Sequence, residues 1–109
     1  MRFSIIIPSY NVEPYISDCI HGLQRQTYAD FQAIIVDDGS TDETVAVARR
    51  LVEDDPRFQL IEQARHNGPG SARNTGLDHA TGDFLLFLDS DDYYVPEALE
   101  LINSYIEVH

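Results

Sequence analysis

The sequence predicts an α/β protein, a Rossmann-like three-layer α/β/α arrangement around a mostly parallel sheet. Three observations carry this expectation. Strand-like apolar runs alternate with helix-like segments along the whole chain, in the order β-α-β-α-β-α-β-α. The strand-like runs are almost continuously apolar, as strands covered on both faces are. Three of them stop abruptly at polar residues: Pro8 to Asn11, Asp37-Asp38, and Asp89 to Asp92. In a parallel sheet these C-terminal ends lie on one side, so residues remote in sequence converge where open α/β sheets bind ligands.

Phe3 to Ile7 reads as the first buried strand, ended by Pro8, with Ser9, Tyr10 and Asn11 as a loop. A helix follows from Glu13 to Gln26, with Ile16, Cys19, Ile20 and Leu23 on one face. Pro14 falls in its first turn, where a missing N–H is harmless. Phe31 to Val36 is the second strand. Ser40-Thr41-Asp42-Glu43 matches a capping box and predicts a helix to Glu53, with Val45, Ala48, Leu51 and Val52 inward. Phe58 to Ile61 is a short third strand, and His66 to Gly70 a turn by composition. Ser71 to Ala80 predicts a short helix with Arg73 in its first turns. Gly82 breaks it, Phe84 to Leu88 is the fourth strand, and Pro96 starts a last helix with Leu99, Ile102 and Ile106 on one face.

The 109 residues suit one domain, residues 1–109, with an apolar content of 43% that implies a folded chain. The formal charge of −12 argues against nucleic acid or an anionic membrane as the main partner. All seven positive residues are arginines, so an anionic ligand needs local donors: an arginine, helix N-termini or a bound cation. Cys19 is the only cysteine, which excludes an internal disulfide and a cysteine-built zinc site and fits a reducing compartment. His21, His66, His79 and His109 are scattered and suggest no metal cluster. Phe3 to Ile7 is too short for a membrane span or signal-peptide core.

The most informative stretch is Phe84 to Asp92, where five apolar residues run into Asp89, Asp91 and Asp92. Carboxylates this close repel one another and cannot continue a core. Two readings are open on this stretch alone. The acids hold a hard divalent cation such as magnesium or manganese, or they form a solvated turn that caps the next helix.

Five segments in order resemble the nucleotide-sugar half of a family-2 glycosyltransferase of GT-A fold. They are Ile5-Ile-Ile-Pro8-Ser-Tyr10-Asn11, Gln26-Thr27, Ile35-Val-Asp-Asp38-Gly-Ser-Thr-Asp42, Ala72-Arg73-Asn-Thr-Gly76 and Leu88-Asp-Ser-Asp91-Asp92. The resemblance implies an inverting transferase that moves a sugar from a nucleoside diphosphate donor, UDP-linked, to a hydroxyl acceptor of unknown identity, in cell-envelope polysaccharide chemistry. It implies a nucleotide site of Pro8, Tyr10, Asn11, Asp38, Arg73 and Asp89. Within it Tyr10 stacks on the base, Asp38 accepts a base N–H, and Arg73 faces the base and diphosphate. Asp91 is the implied metal anchor. Asp89 contacts the metal's water or the ribose, and Asp92 is a third carboxylate that orients a neighbour or caps the helix. The implied cofactor is a divalent metal, Mn or Mg.

The family's general base lies downstream of the D-x-D motif, and no residue here matches it. The expectation is a donor-binding portion, its acceptor half absent, that binds nucleotide and metal weakly and does not transfer sugar alone. The family strand order 3-2-1-4 puts strand 4 at an open apolar edge, which predicts self-association as a homodimer through that edge or the last helix. A cytoplasmic location, at the inner membrane face in a longer protein, is the matching expectation.

Other readings fit less well. A nicotinamide-binding domain needs G-x-G-x-x-G after strand 1, where this chain has Pro-Ser-Tyr-Asn-Val-Glu. An EF-hand beginning at Asp89 would need glycine where Tyr94 stands. A phosphatase Asp-x-Asp pair follows the first strand, not the fourth. The alternative that stays open is a non-catalytic nucleotide-binding or assembly module.

Overall fold

The computed structural model describes residues 2–108. The elements are β1 (Phe3–Ser9), α1 (Ile16–Gln24), β2 (Phe31–Asp37), α2 (Thr44–Val52), β3 (Phe58–Glu62), α3 (Pro69–His79), β4 (Phe84–Phe87) and α4 (Ala98–Val108). Every strand pair is parallel, in the order β3-β2-β1-β4. The predicted fold class and element order are therefore observed.

Side chains alternate across a strand, and β1 uses both faces. Phe3, Ile5 and Ile7 join the larger core with Ile16, Cys19, Ile20 and Leu23 of α1, Ala48 and Val52 of α2, and Leu99 of α4. Ile34 and Val36 pack on the opposite face with Ala72 of α3. There, Gly76 sits so close to the buried Ile6 that a Cβ would come within 2.5 Å of its Cγ2.

Several boundaries differ from expectation. Pro8 does not end β1 but lies inside it, paired with Val36. Backbone groups alternate sides along a strand, so the missing N–H falls on the β4 side, beyond the last pair, Ile6 with Phe87, and costs no ladder bond. α1 starts at Ile16 rather than Glu13, because residues 13–15 form a turn closed by Val12 O accepting from Tyr15 N and Ile16 N. α3 starts earlier than predicted, with Pro69 in its first turn.

The Ser40 capping box does not form. Ser40 Oγ instead donates to Asp37 Oδ1 at 2.6 Å and accepts from Asn11 N at 2.9 Å. Asp42 takes the capping role, its Oδ1 accepting from Thr44 N at 3.0 Å. Burial works against the Asp42 charge, but hydrogen bonds from Thr44 and from the Glu13 main chain outweigh it and hold the carboxyl below its ordinary range. In α2 it is Val47, not Val45, that packs with Ala48, Leu51 and Val52.

The Phe84 to Leu88 run is not buried on both faces. With β4 at the sheet edge, Phe84, Leu85 and Phe87 are 39%, 46% and 50% exposed, and only Leu86 and Leu88 join the core.

Candidate functional site

The chain runs β1, β2, β3 outward in one direction and then crosses back to place β4 on the other side of β1. The sheet thus has its topological switch between β1 and β4, and a cleft of about 320 Å³ opens there at the strands' C-terminal ends. Pro8 and Tyr10 reach it from β1, Asp38 from β2, Arg73 from α3, and Asp89 and Asp91 from the loop after β4. A second cavity of about 320 Å³, between α1 and the loop before α4, is lined by Asp18, Arg25 and Tyr93 among others and brings together no comparable set.

Asp38 is the buried anchor of the cleft, its side chain 3% exposed. Its Oδ1 accepts from Asn67 N at 2.9 Å and its Oδ2 from Gly68 N at 2.8 Å, just ahead of α3. Gly39 makes this approach possible: it has φ +78°, and a Cβ there would lie 2.8 Å from His66 N. Neighbouring Asp37 turns away from this cluster and ties Ser40 N and Oγ.

His66 completes the cluster. Its Nδ1 lies 2.8 Å from Asp38 Oδ2 and 3.3 Å from Asp38 O. Both neighbours are acceptors, so Nδ1 carries a proton in either charge state of the ring. The imidazole stacks on Tyr10, with centroids 3.9 Å apart and planes at 26°.

Asn11 is placed differently from the other predicted residues. At φ +50° it adopts a left-handed turn that asparagine tolerates, and its Oδ1 accepts from Thr41 N at 2.8 Å. It braces the β2–α2 loop against the β1 loop and is absent from the cleft lining.

Asp89, Asp91 and Asp92 each offer a carboxylate oxygen, all within 4.8 Å of one another, and all three residues are exposed. Three hard oxygen donors at this spacing fit a magnesium or manganese ion. Arg73 lies 3.9 Å from Asp89, a half-exposed pair worth little on its own. Close by, burial first, and then the charges of Asp92 and Asp91, push the Cys19 thiol up to about 12.

Of the predicted residues, then, Pro8, Tyr10, Asp38, Arg73, Asp89 and Asp91 share one cleft. Sequence reasoning missed His66 and Ser9, which also line it. The available signal for His66 was its position at the head of the Asn-Gly-Pro turn leading into α3.

The four-stranded parallel sheet with an acidic loop at its switch is the GT-A fold shared with the solved structures described next. The chain belongs to glycosyl transferase family 2, whose family model matches residues 4–109. It is 40% identical over 97 residues to an uncharacterized glycosyltransferase of Haemophilus influenzae, covering 89% of this chain and 39% of that protein. The crystal structure of Staphylococcus aureus TarS 1-349 in complex with UDP-GlcNAc superimposes with a TM-score of 0.93 at 36% identity, over 100% of this chain and 32% of the other. The mannosyltransferase PcManGT from Pyrobaculum calidifontis, in complex with GDP-Man and Mn2+, gives 0.83 at 32% identity, over 94% and 31%. The chain thus spans well under half the length of these relatives.

Proposed function

We propose that this chain forms the donor site of an inverting glycosyltransferase that moves a sugar from a uridine diphosphate donor to a hydroxyl acceptor. The observation that carries the reading is the meeting of Tyr10, Asp38, Arg73, Asp89 and Asp91 in one cleft at the switch point of the sheet. The UDP-GlcNAc complex of TarS supports a uridine donor. The name poly(ribitol-phosphate) beta-N-acetylglucosaminyltransferase, carried by TarS, is in keeping with a hydroxyl-bearing acceptor.

Each residue has a role that its chemistry can perform. Tyr10, 39% exposed, offers a π face to the base. Asp38 has an acceptor position left for a base N–H, because a carboxylate has about four lone-pair sites and its two main-chain donors together with His66 Nδ1 use three. Pro8 lines the cleft beside Tyr10. Arg73, on the second turn of α3, faces the diphosphate with a guanidinium that matches phosphate oxygens. Asp91, helped by Asp89 and Asp92, would hold the divalent cation, and Asp89 would also reach the ribose.

Transfer breaks the bond from the anomeric carbon to the phosphate oxygen, and negative charge grows on the departing diphosphate. A bound divalent cation supplies Lewis-acid stabilisation of that charge. Arg73 adds positive charge from the protein, which a chain of net charge −12 otherwise lacks in this cleft. Inversion follows from direct attack by the acceptor hydroxyl, assisted by a general base. No residue of this chain is assigned as that base.

No helix among the described residues is long and apolar enough to cross a membrane. The reading places the site in the cytoplasm, at the inner membrane face in a longer protein. It also includes self-association through the β4 edge, where pairing is one-sided.

The test is a calorimetric titration of UDP with and without manganese, on the native chain and on Asp91→Asn. Metal-dependent binding that the variant loses is the expected result. Absence of binding to the native chain in both conditions overturns the reading.

A further inference from the structure

The contacts of His66 are those a nucleobase would make. Its planar ring lies against the face of Tyr10, at 3.9 Å between centroids. Its protonated Nδ1 points its edge at the buried Asp38, 2.8 Å from Oδ2. A uracil ring seated by stacking and by one imide N–H would need the same tyrosine face and the same carboxylate. The spacing leaves no room for a third ring between Tyr10 and His66, since a sandwich needs roughly twice that separation. The His66 side chain is 51% exposed, so it has open solvent to swing into.

We propose that the His66 imidazole occupies the nucleobase seat of the empty protein, and that donor binding exchanges this ring for the base. The inference rests on the donor-site reading above. His66 is then an internal competitor that weakens nucleotide affinity and keeps the Tyr10 face and the Asp38 carboxylate covered until a base with an N–H edge arrives. The buried Asp38 keeps its Asn67 and Gly68 donors in both states, so the exchange moves a side chain and leaves the loop in place.

The experiment is a UDP titration with manganese on the native chain and on His66→Ala. Removing the competing stack should tighten UDP binding about three- to tenfold. Equal or weaker binding by the variant, with the native chain still binding in a manner that Asp91→Asn abolishes, overturns the exchange and leaves the donor site standing. Failure of the native chain to bind UDP overturns both. If His66→Ala does not fold, NMR of the native chain with UDP and magnesium decides. The His66 ring protons should lose the upfield shift imposed by Tyr10 as UDP saturates, and resonances that stay in place overturn the exchange.

Discussion

The side-chain oxygen of Gln26 accepts the main-chain N–H of Leu99 at 3.0 Å. The same side chain donates through Nε2 to Gly22 O at 3.0 Å and to Val95 O at 2.7 Å. One buried carboxamide therefore ties the C-terminal end of α1 to the start of α4, and so fixes the far end of the loop that carries Asp89, Asp91 and Asp92.

Gln26→Ala removes all three bonds and leaves buried main-chain groups unpaired. The expected cost is about 2–4 kcal/mol, since each unmade buried bond costs on the order of 1–3 kcal/mol and some are rescued by water. Urea unfolding measures it. Because the acidic loop loses its anchor, manganese affinity of the folded variant should also fall.

Gly76→Ala tests the packing of α3 on β1. Alanine favours a helix over glycine by about 1 kcal/mol. Here the added Cβ would meet Ile6 Cγ2 at 2.5 Å, and overpacking of this kind costs about 1–3 kcal/mol. Net destabilisation is expected by thermal or urea unfolding. Combined with Ile6→Ala, which removes the clashing methyl, Gly76→Ala should cost much less than it does alone.

Arg73→Ala should separate binding from stability. Its partner Asp89 is 3.9 Å away, with side chains 43% and 67% exposed, so the pair contributes at most a few tenths of a kcal/mol. Unfolding should be nearly unchanged while UDP affinity drops severalfold. A large stability loss would show that Arg73 is structural.

The pH dependence of stability should carry the mark of Cys19. Its thiol is raised from 9.0 to about 12 by burial and by the charges of Asp92 and Asp91. Below pH 9 the thiol is protonated in both folded and unfolded chains. Above that, the unfolded thiol ionises while the folded one does not, so stability falls as pH rises from about 9 to about 12. Tyr94, raised chiefly by burial and then by Cys19, acts in the same direction above pH 10. Urea midpoints between pH 8 and pH 11 should decline less steeply in Cys19→Ala. Native Cys19 should also resist iodoacetamide at pH 8, because the thiolate is the reactive form.

The β4 edge should mediate self-association. Leu85 and Phe87 are about half exposed beside an unpaired backbone. Light scattering at high concentration should report a dimer in the native chain and a monomer in Leu85→Lys. A native monomer under those conditions rules the interface out.

Much of this molecule was determined by the sequence itself. The alternation of apolar strands with 3.6-period helices is a local pattern, so element order and fold class follow from it directly. The abrupt polar ends of β1 and β2, and the Asp89 to Asp92 run after β4, announced a shared cleft, because parallel strands end on one side. Other features were decided only in three dimensions. Ser40 matched a helix cap, yet its hydroxyl is taken by Asp37 at the end of β2 and by the Asn11 N–H from the β1–α1 loop. The open edge at strand 4 followed from the family strand order, yet the apolar run Phe84 to Leu88 alone reads as buried on both faces, and the edge leaves Phe84, Leu85 and Phe87 about half exposed. Asn11 sits outside the cleft lining, its side-chain oxygen accepting from Thr41 N. His66 read as one of four scattered histidines, its only signal the Asn-Gly-Pro turn it heads; it gained a place when Gly39 let residues 65 and 66 fold against the end of β2. Most of these outcomes depend on contacts between residues far apart in the chain, and a hydrogen-bonding group with several candidate partners is assigned by the packing that brings one of them within reach.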